Sequence, residues 1–232
     1  MNCGLCLECL RTCPHDNIGI TVRWPGAGLR ARTSPGLDEA FKACLMLGSA
    51  VAYAAVMLGP WGALKMAAFD VGSTRWAAYA IGYLLLVGGV APGLLWVAAL
   101  GGRRLARSNI PMRPLVTSFA RALVPLGLAA WIAFTVAFAF ANLAYLWPVL
   151  SDPLARGWDL FGTADVTWTP YLTRLAPGLQ ACTVLGGLAW SSLEIRRAAN
   201  RLTLPSAAAR LALPVMGYGL VVSVALLRLL VA

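Results

Sequence analysis

Apolar residues in this chain come in long runs, not in the alternation of a strand or the one-sided stripe of a surface helix. Five runs approach or exceed the 20 or so residues that a helix needs to cross a hydrocarbon core: 40–58, 76–100, 117–146, 171–193 and 211–231. The expected architecture is an all-α integral membrane protein, with five transmembrane helices in a membrane domain over 39–232. The second and third runs exceed the minimum, which predicts tilt, kinking or protrusion. Pro92, Pro125 and Pro214 are the expected kink positions, because proline removes a helix hydrogen bond and crowds the preceding turn.

Composition agrees with the pattern. The chain is 59% hydrophobic and 12% charged, whereas a soluble domain carries about 25% charged residues. The net charge of +10 could signal nucleic acid, but the basic residues lie between apolar runs, where membrane topology is written. Membrane lipid is therefore an expected partner and nucleic acid is not. Arg11, Arg23, Arg30, Arg32 and Lys42 fall at the N-terminal side; Arg103, Arg104, Arg107 and Arg113 in the second connection; Arg196, Arg197, Arg201 and Arg210 in the fourth. The first connection has Lys65 and Arg75; the third has Arg156 and Arg174, set among Asp152, Asp159 and Asp165. Rich and poor connections alternate. The expected topology is a multi-pass protein of the inner (cytoplasmic) membrane, N-terminus inside and C-terminus outside. Trp61, Trp76, Tyr145, Trp147, Trp168 and Tyr171 fall near the predicted outer interface, which suits amphipathic rings.

Residues 1–38 are of a different kind: cysteines, charges and prolines, with no apolar stretch of the sort a secretory signal carries. Residues 3–14 read Cys-Gly-Leu-Cys-Leu-Glu-Cys-Leu-Arg-Thr-Cys-Pro, a C-x2-C-x2-C-x3-C-P run. That spacing is the bacterial-ferredoxin pattern for a [4Fe–4S] cluster, in which closely spaced thiolates reach separate irons of one cube. Cys3, Cys6, Cys9 and Cys13 are the candidate cofactor ligands. Gly4 relaxes the first turn and Pro14 turns the chain away. The alternation at 18–22 reads as a strand of a small ferredoxin-like segment. Zinc is the competing occupant, but four-cysteine zinc sites more often pair two C-x2-C units across a longer loop.

In two-cluster ferredoxins the fourth cysteine of such a run ligates the other cluster. Three arrangements for Cys13 follow: one cluster held by all four cysteines, ligands shared with a second cluster-bearing segment of a partner, or a segment upstream of this sequence. Met1 sits close against the motif, and a shortened version of a longer protein is the expectation. Cys44 and Cys182 lie in apolar runs and are expected to be small packing residues.

The run Cys3–Pro14, followed by His15-Asp16-Asn17-Ile18, a basic linker and apolar spans, resembles the membrane-bound polyferredoxins related to the NapH and NosR proteins. The resemblance implies a ferredoxin-type cluster joined to a helical membrane domain, and electron delivery linked to respiratory reductases or their maturation. Its specific part covers residues 3–22.

His15 is the one histidine in the chain, so a bis-histidine haem cannot be built within the spans. Arg121, Arg174, Glu194 and Arg228 are placed towards span ends, and no Asp, Glu or Lys at a span centre, which disfavours an ion-coupled transporter. Asn142 and Thr183 are expected to bond between helices, and Gly186-Gly187 and Gly217–Gly219 to mark close helix contacts. No Walker loop, dinucleotide fingerprint, zinc-protease motif or nucleophile elbow is present. The sequence points to an electron-transfer component, not a stand-alone enzyme, exchanging electrons with a partner redox protein or a quinone. A redox-sensing or assembly subunit is the alternative. A cysteine-accessibility or reporter-fusion map is expected to place 1–38 and 102–113 inside and 151–168 outside; an outer N-terminal region would overturn the charge reading.

Overall fold

The computed structural model describes residues 8–15, 19, 26–30 and 36–231. It divides into two compact units, Met1–Arg32 and Thr33–Ala232. In the first, helix α1 spans Glu8–Thr12 and a 3-10 turn spans Ala27–Arg30, entered through Gly26 at φ 81°. The strand expected over 18–22 lies outside the described residues apart from Gly19, which belongs to no element.

The second unit is a helical bundle. In chain order come α2 (Leu37–Leu58), α3 (Gly62–Phe69), α4 (Thr74–Leu85), a π turn (Leu86–Val90) and α5 (Ala91–Leu105). They are followed by α6 (Met112–Ala122), α7 (Val124–Asn142), a 3-10 turn (Leu143–Tyr145), α8 (Leu146–Ser151), α9 (Ala176–Leu202) and α10 (Pro205–Val231). Among the described residues every element is helical. Four helical stretches are long and apolar enough to cross a membrane: Leu37–Leu58, Thr74–Leu105, Met112–Ser151 and Pro205–Val231. That is the character of a multi-pass membrane protein. The run expected at 171–193 differs. Its helix, α9, begins at Ala176 and continues to Leu202, yet it is less apolar than those four.

The prolines act in three ways. Before Pro92 the chain widens into the π turn, where Ala91 N–H donates to Leu86 O, five residues back. One turn with a looser ladder accommodates the ring that would crowd the Gly88 carbonyl. At Pro125 the rod breaks instead: α6 ends, Leu123 adopts φ −87° and ψ −7°, and α7 starts with Pro125 in its first turn. Pro214 is carried inside α10.

Contacts fix the directions. Arg121 pairs with Glu39, Trp131 Nε1 donates to Met46 O, and the Tyr53 and Phe134 rings meet, so α2 runs parallel to α6–α7. Gln180 Nε2 donates to Ala133 O and Leu126 N–H donates to Ser191 Oγ, so α9 runs antiparallel to α7. Gly101 faces Pro214 and Gly102 faces Leu211, so α10 runs antiparallel to α5. Direction thus alternates along the chain. The starts of α2, α6 and α10 share one end of the bundle with the ends of α5 and α9. Almost all the arginine-rich connections gather there.

The larger core cluster lies towards this basic end, with Leu47, Leu95, Phe119, Leu126, Ile195 and Leu211 buried among alanines. A smaller one, with Ala54, Ala133, Val184 and Leu226, lies towards the other end. Alanine and glycine at the contacts let backbones approach, as expected where lipid is as apolar as the core. Large apolar residues such as Leu84, Val97, Phe138, Leu185 and Val221 face outward.

The glycine pairs split by position. A Cβ on Gly187 would strike Ala129, whereas one on Gly186 would meet nothing. Gly219 packs at ordinary distance from Leu188, and Gly217 faces open space. Gly187→Ala is expected to destabilise the bundle by about 1–3 kcal/mol through overpacking. Gly186→Ala should be neutral or slightly stabilising, because alanine is the better helix former. Unfolding of the two variants in mixed detergent micelles compares them directly.

Candidate functional site

The sequence places the chemistry in the four-cysteine segment. Cys3 and Cys6 lie outside the described residues. Cys9 is in α1, and Cys13 follows its last residue, half-buried. The local physics is simple. Pro14 cannot continue a helix and disfavours helical backbone at the residue before it, so α1 stops at Thr12, whose Oγ1 donates to Glu8 O at 2.8 Å. Cys13 follows Cys9 by four positions, one residue past the end of α1. Pro14 and His15 are exposed. Among the described residues no three His, Cys, Asp or Glu side chains come together, and half of the four-cysteine set stands outside them. The donor set, four cysteines at short sequence spacing, is of the kind an iron–sulfur cube takes.

Within the bundle the polar groups are spent on structure. Leu126 N–H, freed by the break at Pro125, donates to Ser191 Oγ at 2.9 Å. Gln180 is buried and donates to Ala133 O at 3.0 Å. Glu194 is buried and pairs with Arg197 one turn on. Because α9 continues past 193, Glu194 lies within the helix, and its side chain is enclosed, not held at a surface. Asn142 Nδ2 and Thr183 Oγ1 do not bond between helices. They donate to Phe138 O and Leu179 O in their own helices, the cheaper partner for a side chain four residues on. Cys44 is buried as expected, but Cys182 is exposed on α9. Among the described residues no buried side-chain nitrogen or oxygen lacks a partner.

Gln180 and Ser191 tie α9 to α7, the role expected of Asn142 and Thr183. Both sit on α9 at spacings that put them on the side of Gly187, the glycine that meets α7. That shared face was the available signal.

At the end away from the arginines a cavity of about 510 Å3 opens among Tyr53, Met57, Leu58, Lys65, Phe134 and Phe138. The Tyr53 ring lies 5.6 Å from Trp131 and 6.0 Å from Phe134. Aromatic walls with one phenol and one amine suit a flat, apolar molecule bearing hydrogen-bond acceptors. Of the aromatic residues expected at the outer interface, Trp61, Trp76, Tyr145, Trp147 and Trp168 are exposed at this end, and Trp158 joins them 5.8 Å under the Arg156 guanidinium.

The loop between α8 and α9 is organised around two aspartates. Ser151 Oγ donates to Asp159 Oδ1 at 2.7 Å and accepts from Phe161 N–H, while Ala164 N–H also reaches Asp159. Arg156 and Gly157 N–H groups close a turn on Asp152. Trp168 Nε1 ties the loop back to Ala141 O. The Ser151 hydroxyl and the Ala164 amide hold Asp159 below the usual carboxylate range, and the Arg156 and Gly157 amides do the same for Asp152. A carboxylate with a lowered folded pKa stabilises the fold above its unfolded pKa, and the contribution is lost as pH falls through the folded value. Loop order is therefore expected to hold at neutral pH and to loosen below about pH 4. Asp159→Asn should loosen it at neutral pH. Limited proteolysis between Asp152 and Tyr171, and Trp168 fluorescence, follow both changes.

Comparison of the chain with protein-family models, with curated proteins and with solved structures finds no match, so the functional reading rests on the residues themselves.

Proposed function

We propose that the chain is a membrane-anchored electron-transfer protein resembling the NapH- and NosR-related polyferredoxins, with Cys3, Cys6, Cys9 and Cys13 as thiolate ligands of a [4Fe–4S] cluster. The observation that carries this reading is the C-x2-C-x2-C-x3-C-P spacing of residues 3–14. When bound, such a cluster takes up and gives back one electron at a time, at a potential set by its surroundings. The chain's own part is to supply the thiolates, with Cys9 on α1 and Cys13 just past its end, and to tether the segment through a basic linker. We read α9 as the fifth span, its polar residues turned inward. The arginine-rich end is read as the cytoplasmic one, on the inner membrane, with the N-terminus inside and the C-terminus outside.

The electron partner is a redox protein or a quinone. One observation favours a second reading, in which a redox-sensing or assembly subunit carries a cluster without steady flux: the spans hold no histidine to carry electrons onward by haem.

Anaerobically prepared protein is expected to be brown, with about four irons and four sulfides per cluster, and to give a paramagnetic signal on reduction. Stoichiometric zinc without iron would overturn the reading. Cys6→Ser should abolish the signal. Cys13→Ser should spare it if Cys13 serves a second cluster outside this chain, and should match Cys6→Ser if all four thiolates hold one cube. Cys44→Ser, at a thiol buried in the bundle, should leave it unchanged. Reoxidation of the reduced protein by a purified partner redox protein or quinone would separate electron transfer from sensing.

A further inference from the structure

At the arginine-rich end the last turn of α5 and the second turn of α10 enclose an open cleft of about 720 Å3. Arg104, Arg107 and Arg210 line it, with Leu105, Ala209 and Leu213 between them. Among the described residues no carboxylate forms a salt bridge with any of the three arginines. Three cations sharing one cleft repel each other, and an anion placed among them removes that repulsion. Planar guanidinium forks match the oxygens of a phosphate. Leu105 is 52% exposed and Leu213 is 66% exposed, so the basic cleft borders an apolar ledge on the outer surface of the bundle.

The backbone makes an independent point. α5 closes with Ser108 N–H donating to Arg103 O and Arg107 N–H donating to Arg104 O, both at 3.1 Å. That is a Schellman ending, whose left-handed residue is usually glycine. Here it is Arg107, at φ 48°. The chain holds a strained arginine where glycine would be relaxed, and the strained residue is one of the three that line the cleft.

We propose that this cleft binds the phosphate of an anionic phospholipid, with Arg104, Arg107 and Arg210 on the phosphate oxygens and Leu105 and Leu213 against the adjoining acyl chains. Basic pockets between membrane helices take anionic head groups for this reason. A free phosphate ion would satisfy the arginines equally but would leave the leucine ledge unused. All of the cleft's residues belong to the second unit, and its chemistry does not depend on a cluster.

The test uses the full chain, purified in detergent, stripped of lipid, and offered phosphatidylglycerol, phosphatidylcholine or inorganic phosphate. Lipid retained is read by native mass spectrometry, and stability by the melting temperature. Phosphatidylglycerol is expected to be retained about tenfold over phosphatidylcholine, the effect of roughly one charge-assisted contact. The double variant Arg104→Gln/Arg210→Gln should lose that preference, while Arg156→Gln/Arg174→Gln at the other end should keep it. Arg107→Gly tests the site without endangering the fold. It should melt higher than the parent in the absence of lipid, because the strain is gone, and yet gain less from phosphatidylglycerol. Equal retention of the two lipids by the parent would overturn the proposal. So would an unchanged preference in both Arg107→Gly and the double variant. Displacement of phosphatidylglycerol by millimolar inorganic phosphate would overturn the lipid assignment and make the cleft a phosphate-ion site.

Discussion

In a medium without water, a backbone N–H released from its helix ladder has to find another partner inside the protein. Pro125 creates that situation at the junction of α6 and α7, and Ser191 on α9 resolves it by accepting from Leu126 N–H. Much else follows from this seam. For Ser191 to reach the break, α9 must lie against α7 at backbone distance, which Gly187 permits by presenting no side chain to Ala129. Gln180 closes the seam two or three turns away on Ala133 O. α10 then packs on the far side of α9 through Gly219 and Leu188. A helix enclosed in this way can carry polar residues, and α9 carries Gln180, Ser191 and Glu194 with their polar groups satisfied.

The two ends of the bundle differ in kind. One gathers the arginines of the second and fourth connections, with Glu39 and Glu194 each engaged by an arginine already. It is left with a surplus of positive charge and a cleft lined by three arginines. The other is near neutral in charge and rich in exposed aromatics, with a loop whose aspartates are consumed by backbone amides and a serine. Charge at the first end is suited to attract; charge at the second is spent on local order. The asymmetry matches what an inner and an outer membrane face ask of a protein.

Chemistry and anchoring are also divided. The candidate ligands fall within eleven residues of the N-terminal unit, whereas the bundle's buried polar side chains are taken up by bonds within or between its helices and to the loop after α8. A cluster held by those cysteines would ask no ligands of the helices.

Helix content, the positions of the apolar runs, the basic alternation and the cysteine spacing could all be read from the chain, because each depends on residues close in sequence. Pro92, Pro125 and Pro214 stand out in the sequence, but the form that the backbone takes at each is not legible there. Whether a proline yields a π turn, a break or a tolerated insertion depends on which neighbour can satisfy the freed carbonyls and amides. The same limit explains Asn142 and Thr183, which bond within their own helices, and Cys182, which faces outward. Their partners are set by helix rotation, and composition is silent on rotation. α9 is the sharpest case. Its sequence alone reads as one more apolar run ending near 193, and its polar residues look like dilution. Only the tertiary structure decides that Gln180, Ser191 and Glu194 are enclosed and that the helix continues to Leu202, because enclosure by α6, α7 and α10 is what makes those residues affordable there.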